Sequence, residues 1–163
     1  MNIRVARSED LPDLVLIYNQ AVAAQLVGDL APVSVAQRRE WFEHHDPQAH
    51  PIYVAEVAGG IAGWCSLSPY RPGRMALRHT AEISYFVAMA HRRQGVAQAL
   101  TRHAIACCPS LAIKNLFAIV IDRNEASCKL LVKLGFDRWG FLPRVVDFGG
   151  EECGHLYFGR RVS

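Results

Sequence analysis

Apolar residues recur along this chain with two periods, and the switch between them marks out its elements. Leu11, Leu14, Val15, Tyr18 and Val22 fall at i, i+3, i+4, i+7 and i+11, the face of an amphipathic helix. Ser8 and Asp10 precede it as N-cap candidates, and Pro12 is tolerated in a first turn. Ser34-Val35-Ala36-Gln37 reads as a capping box opening a second helix, with Trp41 and Phe42 facing inward. Val96, Leu100, His103, Ala104 and Cys107 define a third helix, which Pro109 and Ser110 end. A fourth starts at Asn124 or Asp122 and runs to Leu134, with Gly135 where a C′ glycine belongs. Between the helices lie β runs: Ile3 to Ala6, Ile52 to Val57, Ile61 to Leu67, Ile83 to Ala88, Leu116 to Ile121, Phe136 to Phe141 and Leu156 to Arg160. Gly59-Gly60 joins the second and third runs as a hairpin, and Gly149-Gly150 turns between the last two. The segment Pro69 to Arg78, rich in Pro, Gly and Arg, reads as a loop. The order βααββ–βα–βα–ββ predicts an α/β fold with a mixed, mostly antiparallel sheet and about four helices.

Composition narrows the class. A chain of 163 residues, read as one domain, buries roughly 70% of its unfolded surface. Its 51% hydrophobic and 20% charged residues suit a globular protein that needs no staples. The net charge of +3 is too mild for a nucleic-acid module, and no aromatic platform is interleaved with the basic residues. Local clusters (Arg71, Arg74 and Arg78; Arg92 and Arg93) suit a small anionic ligand better. Five cysteines without a C-x-x-C pair, and no secretory leader, lead us to expect reduced thiols in a cytoplasmic protein. Cys153-Gly154-His155 lacks a second half, so no metal site is expected. No apolar run approaches the ~20 residues that cross a bilayer, so no membrane partner is expected.

The most specific chemistry lies in His91-Arg92-Arg93-Gln94-Gly95-Val96-Ala97-Gln98-Ala99-Leu100, a strand-to-helix connection. Free backbone N–H groups at a helix start, the helix dipole and two arginines form a site for a diphosphate. Gly95 leaves room for a phosphate to approach, and Ala97 is nearly as small. The spacing Arg92-x-x-Gly95-x-Ala97 resembles the acyl-CoA pyrophosphate loop of the GCN5-related N-acetyltransferase (GNAT) superfamily. Four more stretches resemble its phosphinothricin acetyltransferase-like branch: Ile17-Tyr18-Asn19-Gln20-Ala21-Val22, Pro32-Val33-Ser34 through Arg39-x-Trp41-Phe42, Thr80-Ala81-Glu82-Ile83-Ser84-Tyr85-Phe86-Val87, and Asn124-Glu125-Ala126-Ser127 through Leu134-Gly135-Phe136. They follow the family's order and span nearly the whole chain.

The resemblance implies a GNAT fold whose central sheet splays beside the phosphate loop, and acetyl-CoA as co-substrate. The pantetheine arm would pair with backbone groups of Tyr85, Phe86 and Val87. The pyrophosphate would rest on the amides of Arg93, Gln94, Gly95, Val96, Ala97 and Gln98, with Arg92 or Arg93 supplying charge. Asn124 and Ser127 would contact the cofactor from the other side, besides any capping role. Branch relatives often form homodimers, so a second copy is an expected partner. Glu82 stands at the family's base position. Neutralising a lysine-like amine at pH 7 costs roughly 4–5 kcal/mol, so a proton acceptor is useful. Desolvation in an otherwise apolar run would raise its pKa to suit that task; as a surface residue on a polar strand face it would not serve. Backbone N–H groups near Phe86 or Val87 would stabilise the oxyanion.

Two departures stand out. Where the family carries Tyr, or His in this branch, the chain has Leu131, which has no proton for a departing thiolate. Tyr85, Tyr157 and Cys128 are substitutes, unless CoA leaves unassisted. Where the family carries an aromatic after the first helix, the chain has Gln25-Leu26-Val27-Gly28. Arg74, with Arg71 and Arg78, is the candidate partner for an acid group of the acceptor, against the alternative of solvated loop arginines. The reading is therefore N-acetyl transfer to the primary amine of a small, amino-acid-like or anionic metabolite. The rivals are acetylation of a peptide or protein amine, which a wide acidic groove would favour, and a non-catalytic acyl-CoA sensor.

Overall fold

In the computed structural model, which describes residues 1–163, the elements alternate as the pattern predicts. Strand β1 (Asn2–Val5) leads through a 3-10 turn (Ser8–Asp10) into α1 (Leu11–Ala23) and then α2 (Val35–Glu43). A hairpin of β2 (Ile52–Val57) and β3 (Gly60–Pro69) follows, then β4 (Thr80–Val87) and α3 (Val96–Cys107). Strand β5 (Asn115–Ile121), α4 (Glu125–Lys133) and the hairpin β6 (Asp137–Asp147) and β7 (Glu152–Arg161) complete the chain.

The seven strands form one sheet in the order β1-β2-β3-β4-β5-β7-β6. Only β4 and β5 run parallel; every other neighbouring pair is antiparallel. Strand alternation sends successive side chains to opposite layers. Tyr53, Ala55, Cys65, Ala81 and Ile83 join the main core with Val96, Leu100 and Ala104 of α3 and Leu131 of α4. Ile52, Val54 and Trp64 face the other way, against Leu14 and Ile17 of α1, with Trp41 and Phe42 of α2 beside them. The sheet thus lies between α3 with α4 on one side and α1 with α2 on the other.

Local chemistry sets the element ends. Ser34 Oγ accepts from the Gln37 amide at 3.1 Å and Gln37 Oε1 from the Ser34 amide at 2.7 Å, a complete capping box. Asn124, not Asp122, caps α4: its side-chain oxygen accepts from the Ser127 amide, whereas Asp122 Oδ2 accepts from the Gly154 amide. Asp10 stands at the N-cap of α1 but makes no cap bond. Its carboxylate is taken by Arg4 at 2.7 and 2.9 Å and by the Arg7 amide at 2.7 Å.

The last hairpin departs most from the pattern. Its strands run to Asp147 and from Glu152, well beyond 136–141 and 156–160. Two register irregularities in β6 absorb Trp139 and the stretch holding Pro143, a residue that an edge strand tolerates. Trp139 lies against Gly159 and Phe141 against Gly154, where a Cβ would collide with the rings. Apolar residues on exposed positions here hid the strand's true length.

Candidate active site

The site begins where two strands part. Strands β4 and β5 are paired only over Thr80–Asn115, Ala81–Leu116 and Glu82–Phe117. Beyond Glu82, β4 stays with β3 as far as Val87, while β5 stays with β7 as far as Ile121. From 83 to 87 the edge of β4 toward β5 therefore has no strand partner. A cleft of about 950 Å³ opens in the fork. An unpaired strand edge recognises an extended amide-bearing chain by adding it as a strand.

At the mouth of the fork, the connection from β4 to α3 presents its amides. Gly95 caps α3 with φ +80°, and Arg93 has φ +63°. A Cβ on Gly95 would meet no protein atom, so two things favour glycine: the left-handed backbone and the open space over the loop. The first backbone bond of α3 runs from the Ala99 amide to the Gly95 carbonyl, and the amides of residues 93–98 donate to no backbone carbonyl. Arg92, Arg93, Gly95, Val96, Ala97 and Gln98 all line the cleft. A nest of free amides at a helix start, beside two cations, is the kind of setting that suits an anion such as a diphosphate.

Glu82 is the last residue paired on both sides, to Ser68 of β3 and Phe117 of β5. Its side chain shares a face with Ser84 and Phe86 and their cross-strand neighbours Ser68, Ser66 and Trp64. It is half-buried, and burial pushes its carboxyl above the ordinary carboxylate value, with a hydrogen bond from Ser84 pulling it part of the way back. No cation neutralises it. A carboxylate in that state is a competent acceptor for an amine proton.

The face of Glu82 opens onto an aromatic wall. Tyr18, Trp41, Trp64 and Phe86 pack edge or tilted, with centroids 4.6 to 5.6 Å apart. Arg38 of α2 lies over the Tyr18 ring at 4.4 Å and is fixed by Asp29 at 3.1 Å. Asp29 also accepts from the Tyr18 hydroxyl at 2.5 Å. Arg38 lines the cleft and keeps guanidinium donors free for an anion. Asn19 pins the loop after α1 through two bonds to the Val33 backbone, both 2.9 Å, and Arg123 holds its start. The Arg123 guanidinium donates to the Gln25 carbonyl and side chain, pairs with Glu151 at 2.7 Å and covers the Phe148 ring. Leu26, Val27 and Gly28 of that loop line the cleft.

Most site residues read from the sequence meet in this one cleft: Glu82, Tyr85, Phe86, Val87, Arg92, Arg93, Gly95, Val96, Ala97, Gln98, Asn124 and Ser127. Gln94 and Arg74 do not line it. The Gln94 side chain turns back to the Ala90 carbonyl at 3.0 Å, and Arg74 stays exposed in the 70–79 connection. Leu131 is fully buried in the main core and adds no polar group. Arg38 and Arg123 escaped the sequence reading. Arg38 lies three residues before Trp41, on the helix face already assigned inward; Arg123 acts through a contact 98 residues away, which no local pattern carries.

Residues 17–136 match the acetyltransferase (GNAT) family. The chain is 36% identical to YwnH of Bacillus subtilis (strain 168) over 165 residues, covering all of both chains. It is 33% identical, over 88% of this chain and 84% of the other, to the L-methionine sulfoximine/L-methionine sulfone acetyltransferase of Pseudomonas aeruginosa. Its fold is similar, with a TM-score of 0.92, to yncA of Salmonella typhimurium, whose structure was solved with acetyl-CoA. That structure is 25% identical and covers 99% of this chain and 94% of its own. A family match over residues 17–136, relatives alike over nearly the whole chain and a strand fork that opens a cleft lead to one conclusion: this protein belongs to the GNAT family and is an acetyl-CoA-dependent N-acetyltransferase.

Proposed function

We propose that the acceptor is a small, amino-acid-like metabolite, and that its primary amine attacks the acetyl thioester directly with Glu82 as general base. The observation that carries this reading is the pairing of a half-buried, cation-free carboxyl at the fork with an arginine in the same cleft. In this reading the diphosphate of acetyl-CoA rests on the amides of residues 93–98, and its pantetheine arm follows the free β4 edge at Tyr85 to Val87. The amine lies on the Glu82 face. As its nitrogen bonds to the acyl carbon, its proton passes to the carboxylate, directly or through water held by the adjacent serines. Backbone N–H groups near Phe86 or Val87 receive the negative charge that develops on the carbonyl oxygen. Arg38, rather than Arg74, receives an acid group of the acceptor, because it alone of the two reaches the cleft.

The likeness to an L-methionine sulfoximine/L-methionine sulfone acetyltransferase supports this acceptor class. So does the cleft, whose acidic lining is Glu82 alone, whereas a peptide groove would be wide and acidic. We also assign a second copy of the chain as partner, seated on the exposed apolar row of β6 (Trp139, Phe141 and Val145), and a reducing, cytoplasmic setting in which all five cysteines stay free. The deciding experiment is a thiol-release screen across amino acids, methionine sulfoximine, phosphinothricin, polyamines and short peptides, run with the natural chain and Glu82→Gln. Release with an amino-acid-like acceptor, lost in Glu82→Gln, is expected. Release with peptides alone would replace the acceptor class, and undiminished activity in Glu82→Gln would remove the base.

A further inference from the structure

Two hydroxyl groups meet at the fork with one hydrogen to spare. The Tyr85 hydroxyl lies 2.5 Å from Ser127 Oγ, joining β4 to the first turn of α4. Tyr85 is three residues beyond Glu82 and packs with the α3–α4 layer, so the hydroxyl pair and the carboxyl stand on opposite sides of the gap. Two hydroxyls bring two hydrogens, of which one is consumed between them. Neither oxygen has another side-chain or carbonyl partner; the Ser127 amide is satisfied separately by Asn124. Both residues are half-buried and line the cleft, so the spare hydrogen is available to an acceptor that the cleft takes in. The wall around them is apolar, formed by Ala118, Val120, Ala126 and Leu130. Leu131, one turn after Ser127, supplies no donor.

Aminolysis of a thioester creates a need for that hydrogen. The carbon–nitrogen bond forms, the carbon–sulfur bond breaks, and its electron pair remains on sulfur. In the proposed mechanism the amine proton goes to Glu82, on the other face of the sheet from the hydroxyl pair. We propose that the Tyr85–Ser127 hydroxyl pair donates its free hydrogen to the thioester sulfur and stabilises the thiolate as it departs, an assignment that rests on the placement of acetyl-CoA given above. Burial raises the Tyr85 hydroxyl to about 12, so it stays protonated across the working range. A thiol near ~8.5 is the stronger acid, so the pair supplies a hydrogen bond and not the whole proton. The thiolate leaves as such and takes its proton from solvent.

The test compares CoA with desulfo-CoA, which lacks the sulfur, by calorimetric titration into the natural chain and Tyr85→Phe from about pH 6 to about pH 9, across the thiol's own range. The natural chain is expected to prefer CoA increasingly as pH rises. Tyr85→Phe keeps the ring and its packing, so it should bind desulfo-CoA unchanged while losing about tenfold of the preference for CoA, the scale of one hydrogen bond to a charged atom. Its kcat should fall by a similar factor with the KM for acetyl-CoA unmoved. Equal losses for both ligands, or an unchanged kcat, would overturn the inference. A natural chain that binds neither ligand would overturn the placement of acetyl-CoA and this inference with it.

Discussion

As the proposed general base, Glu82 has to stay charged enough to take a proton while sitting where charge is disfavoured. Burial raises its pKa, so the acid limb of kcat/KM should lie above the ordinary carboxylate range and vanish in Glu82→Gln, with activity down about a hundredfold or more. The same burial has a cost in stability. Between the ordinary and the raised value the folded chain binds more protons than the unfolded one, so this stabilising effect is present at low pH and lost as pH rises. Thermal unfolding near neutral pH should therefore show Glu82→Gln melting above the natural chain, a gain in stability for a loss of function. Asp10 behaves oppositely. The Arg4 side chain lowers its carboxyl, so its contribution is present above the unfolded carboxylate value and lost as pH falls through the folded one. Asp10→Asn should cost about 2 kcal/mol in urea unfolding at neutral pH, and the difference should shrink under acid conditions.

At the scale of elements, the proposed phosphate nest depends on one backbone conformation at the start of α3. Gly95→Glu forces a side chain into the left-handed region, at about 1–2 kcal/mol, and projects a carboxylate into the space over the loop. Losing two charge-assisted bonds to phosphate would weaken acetyl-CoA binding by about a hundredfold or more, measurable by calorimetry. Unaltered affinity would refute the nest. This element was legible because its parts are contiguous: a strand, small residues and a helix face within some twenty positions. The final hairpin was not. Its strand extends beyond the run from 136 to 141, and Trp139, Phe141 and Val145 stand 53, 42 and 52% exposed on that edge strand.

At the scale of the molecule, that exposed row and the strap from Arg123 to Gln25 each give a prediction. Val145→Glu places a charge amid the apolar row and should shift the chain from dimer to monomer in analytical ultracentrifugation; a natural chain that is already monomeric ends the dimer assignment. Arg123→Ala releases the loop that carries Leu26 to Gly28 and should raise the KM for the acceptor several-fold, leaving the affinity for acetyl-CoA unmoved. A rise in both would mean that the strap supports the whole fork.

Sequence order alone set the alternation of strands and helices, the capping box at Ser34 and the glycine that opens α3, because each depends on residues within one or two turns of one another; the carboxyl at 82 stood out only through the family resemblance of its strand. It also left Asn124 and Asp122 as equal candidates to cap α4, and Arg74 as the partner for an acid group. Folding separated the two caps, and it placed Arg38 rather than Arg74 on the lining of the cleft. Asp122 is drawn away by the Gly154 amide, Arg74 is held out in a loop, and Arg38 is brought in by Asp29 and Tyr18. Which polar groups meet across the cleft depends on where the sheet forks, and that place is fixed by pairings between residues some 35 positions apart.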